Sequence, residues 1–436
     1  MMKKIMKNKK YLIFIILSIL FLGFMISFYG YRLVHYYLIE NPSGSKLKEN
    51  TSLVDEIINK NKIINEGNGL YFDDNNYIFK GQVNNNYVYY SGLLWRIVKI
   101  NKDGSIKLIS EEVLTSLYWD NTDNFEDSTL NNWLNDKILT KLSHQEYLSN
   151  INICVDILDK VKNKECEKYF NKQKIGFLSV DEYIESKGKQ SYLNNGKSYW
   201  LSNPDYNGNM WYVNSDGGLS NVNSDSNYGI RATILLKDGI VNISGDGTFD
   251  KPFIIENDNY TNLSQVNIGM YLNYSNYKWR VIDKNETGIK VVLDGYLNDE
   301  MVFDYYSNLF NKNNHIGNYL NNNFYNTLEN KDYIVSGDYY IGSYLDYNYQ
   351  NTMNTKGNYN VSLLSVGDMF ANEYNNIFLV NPYDSEEMIY TIDNNYYLYA
   401  NSISTSLKIR PVLYLDNSLL ISSGKGYKND PFEIGK

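Results

Sequence analysis

The sequence has few of the residues that most often carry out catalysis or hold metals. It contains three histidines and two cysteines among 436 residues. The histidines, His35, His144 and His315, show no metal-ligand spacing, so the pattern predicts neither a histidine-based active site nor a zinc site. We therefore expect no catalytic residue, no metal and no cofactor.

Positive charge is also scarce outside the N-terminus. The net charge is −9, and the first 32 residues hold six basic residues and no acidic one, so the remainder is more acidic than the whole chain. An acidic protein repels a polyanion, and we expect no nucleic-acid partner. The chain length alone predicts two or three domains, at about 100 to 200 residues for each.

One long apolar run is present near the N-terminus. Residues 11–30 carry no charge, and five lysines precede them. The run is long enough to cross a bilayer, and the lysines place the N-terminus in the cytoplasm. We predict a cytoplasmic tail over 1–10, a transmembrane helix over 11–30 and an extracellular stalk over 31–65. The protein would be a single-pass plasma-membrane protein with its C-terminal domains outside the cell; a cleaved signal peptide is the alternative.

The sequence beyond the stalk repeats itself. Residues 90–110 match residues 274–294, and residues 228–255 match residues 407–434. Matches of this length in the same order indicate two tandem copies of one domain. We place the first copy at 66–258 and the second at 265–436.

Four of the five arginines fall into two matched pairs, Arg96 with Arg280 and Arg231 with Arg410. In a chain that otherwise uses lysine, this retention indicates that the planar guanidinium is needed. We predict a structural role for all four, with Arg231 and Arg410 bonded to a carboxylate and to backbone carbonyls. Binding of a ligand carboxylate is the alternative for that second pair.

Each copy is predicted to be α+β. The turn Asn101–Gly104 joins two apolar runs and is a strong hairpin signal. A helix is expected after Asp127, and a second one after the capping box of Ser179 and Glu182, which Ser365 and Asp368 repeat approximately. Short strands with Asn, Asp and Gly turns make up the rest of each copy.

Several motifs together resemble a known family. The strings WRI, FLSVDEY, YWLSNP, YGIRATI and SGDGTFDKPFII are similar to uncharacterised secreted domains that are common in Gram-positive bacteria. The order of elements also resembles the C-type-lectin-like fold, in the variant of formylglycine-generating enzymes. The resemblance covers about 69–256 and 269–434. It implies two lectin-like domains but no activity. A copper-dependent formylglycine-generating enzyme would need cysteines near Arg231 or Arg410, and the sequence has none there.

Cys154 and Cys166 occur in the first copy only. For a segment outside the membrane, a disulfide between them is the default expectation.

Four aromatic residues flank a polar loop in the first copy and are the predicted ligand-binding residues: Trp200, Tyr206, Trp211 and Tyr212. Their faces could stack on sugar rings or on peptide, although a tyrosine-rich chain also decorates its loops by composition. The nearby Asn203-Pro204-Asp205 string resembles a lectin calcium loop, but a turn proline after a strand explains it more simply.

The sequence is compatible with two functions from different classes. The first is a non-catalytic cell-surface protein whose two repeats bind an extracellular glycan, wall polymer or protein. The second is an ectoenzyme or enzyme accessory that acts on cell-wall or surface substrates. The acidic residues show no paired pattern of the glycosidase kind, so we predict binding rather than catalysis.

Overall fold

Alternating apolar residues and tight turns form strands over most of the chain. The computed structural model describes residues 51–120, 124–158, 160, 166–256, 258–286, 288–343, 356–383 and 385–435. The predicted tail, the predicted transmembrane helix and residues 31–50 of the predicted stalk lie outside this part. Of the stalk, the described portion includes a capped helix over Leu53–Lys60, with the Ser52 side chain accepting from the Asp55 amide.

The first half of the described chain extends to Glu256. Its strands are β1 Gly69–Asp73, β2 Asn76–Lys80, β3 Tyr87–Tyr90, β4 Leu93–Ile100, β5 Ile106–Ser110, β6 Ser116–Tyr118, β7 Leu148–Ser149, β8 Ile153–Cys154, β9 Tyr169–Phe170, β10 Ile175–Gly176, β11 Tyr199–Pro204, β12 Met210–Val213, β13 Leu219–Val222, β14 Asn227–Gly229, β15 Thr233–Leu236 and β16 Phe253–Ile254.

The second half begins at Asp258. Its strands are β17 Tyr271–Tyr274, β18 Tyr277–Lys284, β19 Ile289–Leu293, β20 Glu300–Met301, β21 Ile334–Val335, β22 Gly337–Tyr340, β23 Lys356–Tyr359, β24 Val361–Leu363, β25 Ile377–Pro382, β26 Met388–Ile392, β27 Leu398–Ser402, β28 Leu407–Lys408, β29 Pro411–Leu415, β30 Leu420–Ser423 and β31 Phe432–Gly435.

The helices are short. The α-helices are α1 Leu53–Lys60, α2 Thr129–Trp133, α3 Val180–Glu185, α4 His315–Asn318 and α5 Tyr325–Thr327. Two π-helical turns, Leu134–Ile138 and Tyr319–Phe324, continue α2 and α4, and the 3-10 turns are Leu139–Lys141, Gln145–Tyr147, Gly188–Gln190, Leu263–Gln265 and Lys331–Tyr333.

The fold is therefore mostly β, and the predicted α+β class was wrong. The helix predicted after Ser365 does not form, although Ser365 and Asp368 make the backbone contact of a cap. Gly367 and Phe370 there both have positive φ angles, of 83° and 61°, and a right-handed helix cannot pass through such residues. The capping box at Ser179, by contrast, starts α3 as expected.

Both halves connect their strands in the same way. In the first half β4 pairs with β5, β5 pairs with β15, and β15 pairs with both β7 and β10. In the second half β18 pairs with β19, β19 pairs with β29, and β29 pairs with both β21 and β24. A smaller sheet follows the order β13-β12-β11-β14-β6 in one half and β27-β26-β25-β28-β20 in the other. The β1–β2 hairpin has no counterpart among the described residues of the second half.

Buried side chains repeat as well. The Trp95 indole donates to the Tyr90 carbonyl at 3.0 Å, and the Trp279 indole donates to the Tyr274 carbonyl at the same distance. The Tyr90 hydroxyl donates to the Ser143 carbonyl, and the Tyr274 hydroxyl donates to the Glu329 carbonyl. Both carbonyls lie in the turn that follows the helical segment. These bonds fix the central hairpin against the helical segment in both halves.

The two halves share one hydrophobic core. Polar bonds join them too: the Trp133 indole donates to the Gly367 carbonyl at 3.0 Å, and the Asn372 amide donates to the Ser116 hydroxyl at 2.9 Å. Both hydrogen bonds are buried, so the halves are packed against each other along a closed interface.

The prediction of a single-pass plasma-membrane protein needs correction. Among the described residues, none of the helices has the length and apolar character needed to cross a membrane. The longest α-helix in the part of the chain that the structure describes, α1, has eight residues. The membrane helix, the single-pass topology and the membrane location are therefore not supported by the structure.

Candidate functional site

The four matched arginines lie in or next to core strands: Arg96 in β4, Arg280 in β18, and Arg231 and Arg410 just before β15 and β29. In the first half the Arg231 Nε donates to the Ser110 carbonyl at 2.9 Å, and its Nη1 donates to the Leu193 carbonyl at 2.6 Å. Arg96 donates to the Asn86 side chain at 2.6 Å and lies 3.4 Å from Glu111.

The second half repeats the arrangement with a carboxylate that lies closer to its arginines. Arg410 donates to the Leu293 and Phe370 carbonyls at 2.9 and 2.7 Å and to Glu373 at 2.7 Å. Arg280 donates to the other oxygen of Glu373 at 3.0 Å. Glu373 therefore bridges the two arginines of its half.

The corresponding place in the first half lacks a carboxylate. Arg231 donates to the Leu193 carbonyl, as Arg410 donates to the Phe370 carbonyl. Three residues after Leu193 the first half has Gly196, whereas three residues after Phe370 the second half has Glu373. The Arg231 Nη2 is buried and makes no hydrogen bond within the described structure; its nearest carboxylate oxygen, on Glu111, is 3.9 Å away. The first arginine pair is thus less completely neutralised.

The carboxylate partners of these arginines line one cleft. It has a volume of about 350 Å³ and draws its walls from both halves: Glu111, Glu112, Val113, Asn195, Lys197, Phe249, Phe370 and Glu373. We call it the inter-half cleft. Arg280 bonds two of these wall residues, Glu112 of the first half and Glu373 of the second.

The electrostatics of the cleft follow from burial and from the arginines. Burial alone would raise the pKa of Glu373, but Arg280 and Arg410 outweigh it and hold that pKa below its ordinary value. Burial lowers the pKa of Lys197, against the opposite influence of Glu112 and Glu373. Glu373 is therefore ionised and bonded on both oxygens, whereas Glu112, 47% exposed, can still accept from a ligand.

Two phenylalanines supply the apolar part of the cleft. Phe249 is 62% exposed and meets the Tyr87 ring edge-on at 5.5 Å. Phe370 is buried, and its ring centre lies 3.4 Å from the Arg280 guanidinium carbon. The positive φ of Phe370 is rare for a bulky residue, and it directs the Phe370 carbonyl to Arg410 while the ring covers Arg280.

The four aromatic residues predicted to bind ligand do not form one surface. Trp200 and Trp211 are buried, and their indoles donate to backbone carbonyls at 2.9 Å. Tyr212 is half-buried and stacks on Tyr228 at 4.1 Å. Tyr206 is 72% exposed on the loop after β11, so ligand binding through this residue stays a prediction.

The Asn203-Pro204-Asp205 loop bonds internally. Asp205 accepts from the Asn207 and Asn209 amides at 2.7 and 2.9 Å, and the Asn203 side chain binds the Val180 amide at the start of α3. These contacts explain the string as a structured turn. Cys154 and Cys166 are joined in a disulfide beside this loop.

Sequence reasoning found the arginines but not their partners. Glu111, Glu112 and Glu373 stand in different sequence contexts, and the two halves share no carboxylate at these positions. One difference between the halves could have indicated a partner of Arg410. Three residues after the matched carbonyls, the first half has Gly196 and the second half has Glu373. Phe249 gave no signal, because it lies in a turn far along the sequence from the other cleft residues.

Comparison with known proteins adds one family. Residues 103–238 match the model of a family described as a domain of unknown function (DUF6273). This stretch runs from the β4–β5 turn to the end of β15, which is most of the first half. Neither the curated proteins nor the solved structures include a match to this chain. The predicted relationship to C-type lectins and formylglycine-generating enzymes therefore stays a prediction.

Proposed function

We propose that the protein is a non-catalytic binding module and that its inter-half cleft binds a glycan. The observation that carries this proposal is the combination of an exposed aromatic ring, Phe249, with polar acceptors on Glu112 and Asn195 in one cleft. Sugars present hydroxyl groups at their edges and apolar C–H faces, and protein sites meet them with aromatic rings and oriented polar groups.

The charge of the cleft refines the expected ligand. Glu112 is half-exposed, and Glu111 keeps 22% of its side chain exposed, so carboxylate oxygens face the ligand. A negatively charged sugar would be repelled there, whereas a neutral sugar or an amino sugar would be accommodated. A wall polymer built from amino sugars belongs to this class, and a basic protein segment is the competing ligand.

Binding is favoured over catalysis for a chemical reason. Acid catalysis at a glycosidic bond needs one carboxyl group that keeps its proton near neutral pH. Glu373 has a lowered pKa because two arginines bond it. The alternative of an ectoenzyme or enzyme accessory would need a second carboxylate facing Glu112 across the bound sugar.

We also propose that the two halves are copies of one domain that arose by duplication. The shared strand pairings and the matched Trp-to-Tyr bonds support this proposal. The closed interface between the copies then creates the cleft, which neither copy has alone.

The test is a glycan and wall-fragment array probed with the full chain. We expect capture of amino-sugar or neutral glycans, with Phe249→Ala and Glu112→Gln each lowering the signal at least about tenfold, since a stacking or hydrogen-bonding contact contributes about 1.4 kcal/mol or more. Tyr206→Ala is the matched control, because Tyr206 is an exposed aromatic residue away from the cleft.

The outcomes separate the two candidate surfaces. Loss of binding in Tyr206→Ala with retention in Phe249→Ala would place the site on the loop after β11 instead. Capture of basic peptides but of no glycan would replace the ligand class and keep the cleft.

A further inference from the structure

Three titratable side chains meet at the end of the first half, away from the inter-half cleft. The His144 Nε2 lies 2.9 Å from Asp258 Oδ1, and one ligand atom each of His144, Glu256 and Asp258 lies within 4.8 Å of the other two. Glu256 is 9% exposed, and the side chains of His144 and Asp258 are 32% and 23% exposed. The cluster is therefore partly buried but reachable from solvent.

Each of the three side chains is held from behind by a further group. The His144 Nδ1 lies 3.2 Å from Glu146 Oε1, which leaves Nε2 facing the two other acids. Glu256 accepts from the Ser91 amide at 2.6 Å and from the Ser143 hydroxyl at 3.1 Å. A histidine fixed by a carboxylate through its other nitrogen is the usual outer support of a metal-bound imidazole.

Asp258 is oriented in the same manner. The Tyr260 hydroxyl donates to Asp258 Oδ2 at 2.8 Å, and the Asn267 side chain bonds the Tyr260 hydroxyl at 3.0 Å. The other oxygen, Oδ1, is the one that faces His144. One ligand atom of each of the three side chains thus lies close enough to the other two to share a metal ion.

The second half builds the same turn without these side chains. The Glu329 amide donates to the Ser275 hydroxyl at 2.8 Å, as the Ser143 amide donates to the Ser91 hydroxyl at 2.7 Å. Asn330 then takes the position of His144, and both residues have left-handed backbone angles, with φ of 45° and 48°.

The turn therefore does not need a histidine. Asparagine is among the residues that adopt left-handed angles most readily, and the second half uses it. Glu256 is likewise unmatched. It lies two residues after Ile254, the last residue paired with β3, and Gly435 lies two residues after Glu433, the last residue paired with β17. His144 and Glu256 are therefore side chains of the first half that the second half does not repeat.

We propose that His144, Glu256 and Asp258 form a binding site for a divalent transition metal, with Zn²⁺ as the best-suited ion. One imidazole nitrogen and two carboxylate oxygens match the ligands that Zn²⁺ takes in proteins, and soft-metal ligands are absent from the site. Three protein ligands leave a further position for water or for a ligand group. Neither the proposed glycan binding nor the inter-half cleft is needed for this site.

The experiment is calorimetric titration of ZnCl₂ into the full chain after dialysis against a chelator. No reductant is added, so Cys154 and Cys166 stay in their disulfide and cannot contribute thiolates. We expect one Zn²⁺ for each chain and a rise in melting temperature on addition of Zn²⁺. His144→Asn and Glu256→Gln should each weaken binding by at least about a hundredfold, since each removes a direct ligand.

Two further variants make the result specific. His144→Asn reproduces the residue that the second half carries, so it should melt close to the metal-free wild type. His315→Asn removes the other histidine of the described chain and should bind Zn²⁺ as the wild type does. Glu146→Gln, behind the imidazole, should weaken binding by about tenfold and leave the stoichiometry unchanged.

The proposal would be overturned by either of two results. One is a wild-type chain that takes up no Zn²⁺ at one equivalent and shows no Zn²⁺-dependent rise in melting temperature. The other is equal Zn²⁺ affinity in wild type, His144→Asn and Glu256→Gln. In both cases the cluster would be an ion pair between an imidazolium and its acids.

Discussion

Arg410 donates a hydrogen bond to Glu373 across 2.7 Å, whereas the matching nitrogen of Arg231 makes none within the described structure. Arg410→Lys should therefore destabilise the protein more than Arg231→Lys. We expect about 3 kcal/mol for the first, because it leaves Glu373 partly unpaired, and about 1 to 2 kcal/mol for the second, which loses bonds to carbonyls. Urea unfolding measures both values, and equal stability of the wild type and both variants would contradict the structural role.

Glu373 should make stability depend on pH in the acid range. Its pKa in the folded state is below the ordinary value of 4.5, so the unfolded chain binds more protons there. The stabilising effect is complete above pH 4.5 and is lost as the pH falls through the folded pKa. The difference in unfolding free energy between wild type and Glu373→Gln should shrink from pH 7 to pH 3. Glu300→Gln, at an exposed position, is the control and should show no such change.

The disulfide between Cys154 and Cys166 closes a loop with a sequence separation of 12. Because it removes loop-closure entropy from the unfolded chain, such a bond contributes about 3 kcal/mol. Reduction should lower the melting temperature, and replacement of both cysteines by serine should have the same effect without reductant. Two free thiols in the untreated protein, counted by alkylation and mass spectrometry, would show that the bond does not form.

The shared interface predicts that the two halves unfold together. The Trp133–Gly367 and Asn372–Ser116 bonds are buried between them, and the core is continuous. Calorimetry should show one transition whose calorimetric and van't Hoff enthalpies agree. Loss of the disulfide should move that whole transition, although the bond lies in the first half only. Two resolved transitions would mean that the halves are energetically independent.

Two local features of the fold follow from the sequence. The hairpin at Asn101–Gly104 and the capping box at Ser179 formed where they were predicted, because each depends on residues a few positions apart. The repeat was visible for the same reason: it requires only that similar strings recur in the same order. The helix after Ser365 failed because Gly367 and Phe370 take left-handed angles that the surrounding contacts impose.

By itself, the sequence determined the strings that recur in the same order, the scarcity of histidine and cysteine, and the four arginines that recur in pairs. The tertiary structure alone decided what those arginines bond and which side chains meet. Glu112 and Glu373 share Arg280 only because the two halves close on each other, and His144 reaches Glu256 and Asp258 across more than a hundred residues. Contacts of that kind depend on how distant segments pack, and they cannot be predicted from the spacing of residues within a short stretch of sequence.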